Sequence, residues 1–111
     1  MRGWLRVGPG QSNIVTIVMQ GGRSNDFTKA NAAGGFAKLP DGFTWHHVAD
    51  FNPETGTCTM QLVTKAAHNA NKPHEGSCKQ FAQQFGVPYD SKGSRKAAED
   101  EGWKKKKKDC A

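Results

Sequence analysis

The alternation of apolar and polar positions divides the chain into short elements separated by glycine and proline. Residues 1 to 13 read as a Gly-rich lead-in. Ile14-Val15-Thr16-Ile17-Val18-Met19 is a β-branched run closed by Gly21-Gly22, the composition of a strand. Ser24-Asn25-Asp26 is a polar cluster suited to capping, and Phe27 to Ala33 predicts a short helix stopped by Gly34-Gly35. Pro40-Asp41-Gly42 is turn chemistry. Beyond it, Phe43 to Asp50 and Thr57 to Val63 have strand character and are split by the turn Asn52 to Gly56, which predicts a β-hairpin. Lys65 to Ala70 favours a helix broken at Pro73. Lys79 to Phe85 favours a second, amphipathic helix with Phe81 and Phe85 on one face. From Asp90 onward charge replaces pattern, with a helix through Ala97 and Ala98 and an anchoring Trp103 as its features. The expected organisation is a single domain over residues 1–111, with a core at about 21–90 and a charged tail at 91–111.

All four histidines, His46, His47, His68 and His74, lie on the hairpin, on the following helix or just past it. Neighbouring residues on a strand point to opposite faces, so His46 and His47 are expected to have different jobs: one turned to a metal, the other to substrate. A helix packed across the hairpin would bring His68 to His46, giving two imidazoles for one divalent ion. His74, past Pro73, would close that site as a third ligand. Asp50 is near enough in sequence to orient an imidazole. Such a set suits phosphodiester cleavage, in which a histidine takes a proton from water and a metal ion stabilises charge on the phosphate and leaving oxygen. The spacing alone leaves three readings open: a catalytic metal site, a structural metal site, and histidines that bind no metal.

Charge and cysteine content narrow the class. Sixteen Lys and Arg against ten Asp and Glu give a net charge of +6, which favours polyanions, nucleic acid ahead of an anionic membrane. Much of that surplus sits in Lys104 to Lys108, either a solvated tail or a source of salt-sensitive affinity for nucleic acid. Cys58, Cys78 and Cys110 contain no C-x-x-C pair, which excludes a four-thiolate zinc site. Reduced structural thiols are expected, with one bridge between Cys58 and Cys78 as the alternative. No apolar run reaches signal-peptide or membrane-span length. The chain is therefore expected to stay in the cytoplasm or to be a piece of a larger protein that another module exports.

The stretch Thr44-Trp45-His46-His47, then Met60 to Val63, then His68 and His74-Glu75-Gly76, resembles the WHH group of HNH nucleases, within the His-Me finger (ββα-metal) superfamily. Arg23, Asp26, Phe27, Ala30, Asn31 and Gly35 are similar to the lead-in of that group, so the resemblance covers about residues 21 to 76. It implies an α+β fold whose core is a β-hairpin plus helix, the ββα-metal unit, with flanking helices. Carried over by position, His47 would be the general base, and His46 and His68 metal ligands. His74 matches a further histidine that completes a three-imidazole site in related bacteriocin nucleases. The central Asn of the HNH pattern falls on Thr59, which departs from it and can orient the base or the loop only through its hydroxyl or backbone.

The resemblance implies a metal-dependent endonuclease that hydrolyses DNA with little sequence preference, using one divalent ion (Mg, Mn, Ni or Zn). Arg23 and Lys65 are the candidate phosphate contacts. Trp45 reads as packing, not base stacking, and Gly34-Gly35 as a helix stop, not a phosphate cradle. Many members of the group are toxin domains of interbacterial effectors, delivered by specialised secretion into a target-cell cytoplasm. That implies an acidic immunity protein as partner and no membrane partner. Two rivals remain on sequence: an RNase of the same fold, and a non-catalytic zinc module that binds nucleic acid or protein.

Overall fold

The computed structural model describes residues 11–70 and 76–105. Its elements are β1 (Ile14–Val18), α1 (Arg23–Gly34), β2 (Phe43–His47), β3 (Thr57–Thr64), α2 (Lys65–Ala70), α3 (Ser77–Phe85) and α4 (Lys92–Asp100). The three strands form one antiparallel sheet in the order β1-β3-β2. The architecture is α+β, and β2, β3 and α2 are its ββα unit. The hairpin of the sequence analysis is therefore two-thirds of a sheet, because the β-branched run at Ile14 pairs with the outer side of β3, Thr16 opposite Thr59.

Strand alternation gives the sheet one apolar face. Val15 and Ile17 of β1, Trp45 of β2, and Cys58, Met60 and Leu62 of β3 are buried together with Ala30 of α1. Trp45 is a packing residue: it stacks edge-on to Phe36, and its indole N–H donates to Asn31 Oδ1 at 2.7 Å. The opposite face carries His46 and its cross-strand neighbour Gln61, both half-buried.

The boundaries of α1 differ from expectation for a reason that matters to the site. The helix begins at Arg23 after an extended Gly22 that offers no side-chain cap. Ser24-Asn25-Asp26 is thus helix, and Asp26 points inward instead of capping. At the other end Gly35 adopts a left-handed conformation (φ 79°), the helix stop expected of it. Strand β2 ends at His47 and not at Asp50, since Asp50 is recruited by β3.

The segment expected to be a charged tail from residue 91 folds through Lys105. Ser91 and Ser94 make a reciprocal capping box that starts α4. Ser94 and Ala98 are fully buried, and Trp103 packs edge-on against Phe51 and Phe85. The charged residues of α4 lie on its outer side, which hid the apolar stripe at Ser94, Ala97 and Ala98. Core and tail are not divided at residue 90, and β1 also belongs to the core although it precedes residue 21.

Candidate active site

His46 and His47 end β2 and take opposite faces of the sheet, as the pleat requires. His46 turns toward α2, where its ring meets that of His68 with centroids 5.6 Å apart. These two imidazoles, one from the hairpin and one from the helix, are donors suited to a divalent transition metal. Among the described residues no group of three His, Cys, Asp or Glu is gathered at one point. His74, the expected third ligand, lies outside the described residues.

His47 turns to the apolar face and is 8% exposed. Its Nε2 lies 2.9 Å from Oδ2 of Asp26, which is fully buried. The same Oδ2 accepts the phenol of Tyr89 at 2.5 Å, and Oδ1 accepts the backbone N–H of Gln20 at 2.8 Å. A carboxylate with no solvent contact therefore has two donors and an imidazole nitrogen as partners, which is what makes its burial tolerable. Burial and the neighbouring Asp26 push the Tyr89 hydroxyl well above the usual phenol range, so it remains a donor. Tyr89 in turn accepts the N–H of Gly21 at 3.1 Å. The imidazole is flanked by the rings of Phe27 and Tyr89, with centroids 6.1 and 6.2 Å away.

The backbone around His47 is fixed from a second side. Gly76, just before α3, sits so close to the His47 carbonyl oxygen that a Cβ there would overlap it. Only glycine permits that approach, which ties the start of α3 to the end of β2. The loop after His47 is held by Asp50, whose carboxylate accepts the backbone N–H of Thr59 at 2.8 Å and its hydroxyl at 2.5 Å. Asp50 therefore clamps the loop to β3 and is not the residue that orients an imidazole; Asp26 is. Thr59 touches neither histidine ring in these contacts and acts on the loop through Asp50.

The proposed phosphate contacts fall on different sides. Arg23 opens α1 with its side chain half exposed, paired with Asp90 and lying over the Tyr89 ring at 5.7 Å. Asp90 also accepts the Arg23 backbone N–H at 2.5 Å. Arg23 is thus one ring away from the Asp26–His47 pair. Lys65 is exposed at the first position of α2, the helix that carries His68. Cys58 and Cys78 are buried free thiols, so no bridge joins them; burial pushes both to about 12.

Two participants escaped the sequence reading. Asp26 was noted as a capping residue and as part of the family-like lead-in, and neither reading places it on His47. Tyr89 is the only tyrosine in the chain, and nothing in its local sequence points to a carboxylate 63 positions earlier. The signal that a buried acid was present is the missing cap at Gly22, visible only once the helix boundary is known.

The structure is a three-stranded α+β domain whose ββα unit faces two imidazoles toward each other, with a third histidine turned the other way on a buried carboxylate, and its fold is consistent with that of an HNH-type nuclease. Residues 35–84 match the family model described as WHH, a nuclease of the HNH/ENDO VII superfamily with conserved WHH. The matched segment holds Trp45-His46-His47, the whole hairpin, α2 and most of α3. The match supports a WHH-type nuclease of that superfamily, a hydrolase acting on nucleic acid. No curated protein and no solved structure matches it.

Proposed function

We propose that this domain is a metal-dependent endonuclease that hydrolyses DNA phosphodiester bonds with little sequence preference, with His47 as general base. The observation that carries this reading is the back-to-back pair on β2: His46 faces His68 while His47 is held by Asp26. His46, His68 and His74 are the proposed ligands of one divalent ion (Mg, Mn, Ni or Zn). An ion held there supplies Lewis-acid stabilisation of the charge that develops on the phosphate and leaving oxygen.

The protein's own part is proton transfer and positioning. Asp26 accepts the Nε2–H of His47, which fixes the tautomer and leaves Nδ1 as the nitrogen that takes a proton from water. Tyr89 and the Gln20 amide hold Asp26 in turn, so the imidazole cannot rotate without breaking a fully paired network. The wall of Phe27 and Tyr89 limits water to the small open part of the ring. Thr59, through Asp50, keeps the loop after His47 against β3. Arg23 and Lys65 are the proposed phosphate contacts, placed respectively beside Tyr89 and on the His68 helix.

We also propose a biological role: the toxin domain of an interbacterial effector, delivered by a specialised secretion system to a target-cell cytoplasm and neutralised by an acidic immunity protein. The support is the family-like motif set and the basic surplus of +6.

The deciding experiment is supercoiled-plasmid cleavage with Mg²⁺, Mn²⁺, Ni²⁺ or Zn²⁺, comparing the native protein with His47→Ala. Metal-dependent nicking that is lost in a folded, metal-binding His47→Ala supports the reading. Cleavage of RNA but not DNA would transfer the same site to an RNase, and no cleavage of either polymer would refute the role of His47.

A further inference from the structure

We infer that a second nucleic-acid contact surface lies away from His46 and His68, in the groove between α1 and the segment that follows α4. This inference rests on the nuclease reading, and it assigns the groove to the phosphodiester backbone of that same substrate. The groove has a volume of about 510 Å³ and is lined on one side by Asn25, Thr28 and Lys29 of α1, and on the other by Trp103, Lys104 and Lys105. A second hollow, of about 390 Å³, shares Gln20, Lys29 and Trp103 with it and runs on along β1 to Thr16 and Thr55. The two form one continuous trough.

Its chemistry is one-sided. Among the described residues three ammonium groups line the trough and no carboxylate does; Thr16, Thr28, Thr55, Asn25 and Gln20 fill the intervals. Lys104 lies 3.9 Å from Glu99, whereas Lys29 and Lys105 are exposed. A hollow of comparable form beside α4 is lined by Lys96, Asp100 and Glu101, so absence of acid is a property of this trough and not of the surface in general. Point-charge ammoniums spaced by neutral polar side chains suit phosphate oxygens, which ask for no base-specific geometry.

Position supports a role distinct from cleavage. The trough runs along β1 and α1, whereas His46 and His68 lie on β2 and α2, and the sheet order is β1-β3-β2. Two strand spacings, about 10 Å, separate the edges. The trough then supplies affinity for the duplex and the histidines supply chemistry.

The test is binding of a fluorescent duplex DNA to the full chain in EDTA, measured against salt concentration, for the native protein and for Lys29→Gln with Lys105→Gln. Both lysines are exposed, so the variant is expected to keep the native circular dichroism and melting temperature. Two lost phosphate contacts should reduce the slope of log K against log salt by about 1.8. Plasmid nicking at saturating DNA should stay unchanged, while nicking at limiting DNA should fall. An unchanged slope in a native protein that binds and nicks DNA would overturn the trough and leave the nuclease reading intact. A native protein that nicks nothing would fail the nuclease reading and the trough's substrate with it. An unchanged DNA slope, with binding of polyglutamate lost in the variant, would reassign the trough to an acidic protein and overturn the inference.

Discussion

The Nε2 of His47 lies 2.9 Å from Oδ2 of Asp26, a residue on another element 21 positions earlier, and both side chains are buried. The pair orders everything around it. Asp26 leaves its expected place as a cap to reach His47, Tyr89 arrives from beyond α3 to share the same oxygen, and Arg23 lies over the Tyr89 ring.

Exchanging Asp26 for Asn keeps the shape and, with the remaining oxygen on the Gln20 N–H, turns an N–H2 donor toward His47 in place of the acceptor that selects the tautomer. Asp26→Asn is expected to remain folded, to bind duplex DNA as the native protein does, and to lose roughly 100- to 10,000-fold in nicking rate. Plasmid cleavage at saturating DNA, read beside the ¹⁵N shifts of the His47 ring, checks this; a native rate with an inverted tautomer would remove Asp26 from the mechanism.

The facing imidazoles lead to a different signature. His46→Ala and His68→Ala are each expected to weaken Ni²⁺ or Zn²⁺ binding at least tenfold by calorimetry, whereas His47→Ala should leave that affinity within about twofold. Chelation should abolish nicking, and added divalent metal should restore it. If His47→Ala lost the metal as completely as His46→Ala, the separation of roles across β2 would be wrong.

The Asp50 clamp contributes to stability independently of proton transfer. Thr59→Val loses one hydrogen bond and is expected to cost about 0.5–1.5 kcal/mol, and Asp50→Ala, which orphans two donors, about 1–3 kcal/mol. Urea unfolding measures both, and the two costs should not add in the double variant because they belong to one contact.

Alkaline pH should act through the buried thiols. Cys58 and Cys78 ionise near 12 in the fold because of burial and near 8.5 when unfolded. Their preference for the neutral, buried state is fully present below about pH 8.5 and is lost as pH rises toward 12. The urea midpoint should therefore fall between pH 9 and 11, less steeply in Cys78→Ala. At pH 8 iodoacetamide should label Cys58 and Cys78 only after unfolding; rapid labelling of the native protein at either position would contradict their burial.

How much of this was legible before folding depends on the range of the interaction. The hairpin, α2, the stop at Gly35 and the opposed faces of His46 and His47 follow from alternation, turn residues and pleat, all of which act over a few positions. Even the approach of His68 to His46 follows from a helix joined directly to the hairpin. α4 was half visible, since Ala97 and Ala98 suggested it, but the charge around them masked a stripe that buries Ser94 and Ala98.

Sequence by itself determined that His46 and His47 take opposed faces, because strand geometry is local. Tertiary structure alone decided which carboxylate serves His47: Asp50, three residues away, is spent on Thr59, while Asp26 comes from a helix across the sheet. It also decided that β1 completes the sheet, that Tyr89 holds Asp26, and that Gly76 meets the His47 backbone. The physical reason is common to all of them. A buried polar group must find its partner wherever packing brings one, and packing joins residues whose separation along the chain carries no periodic signal.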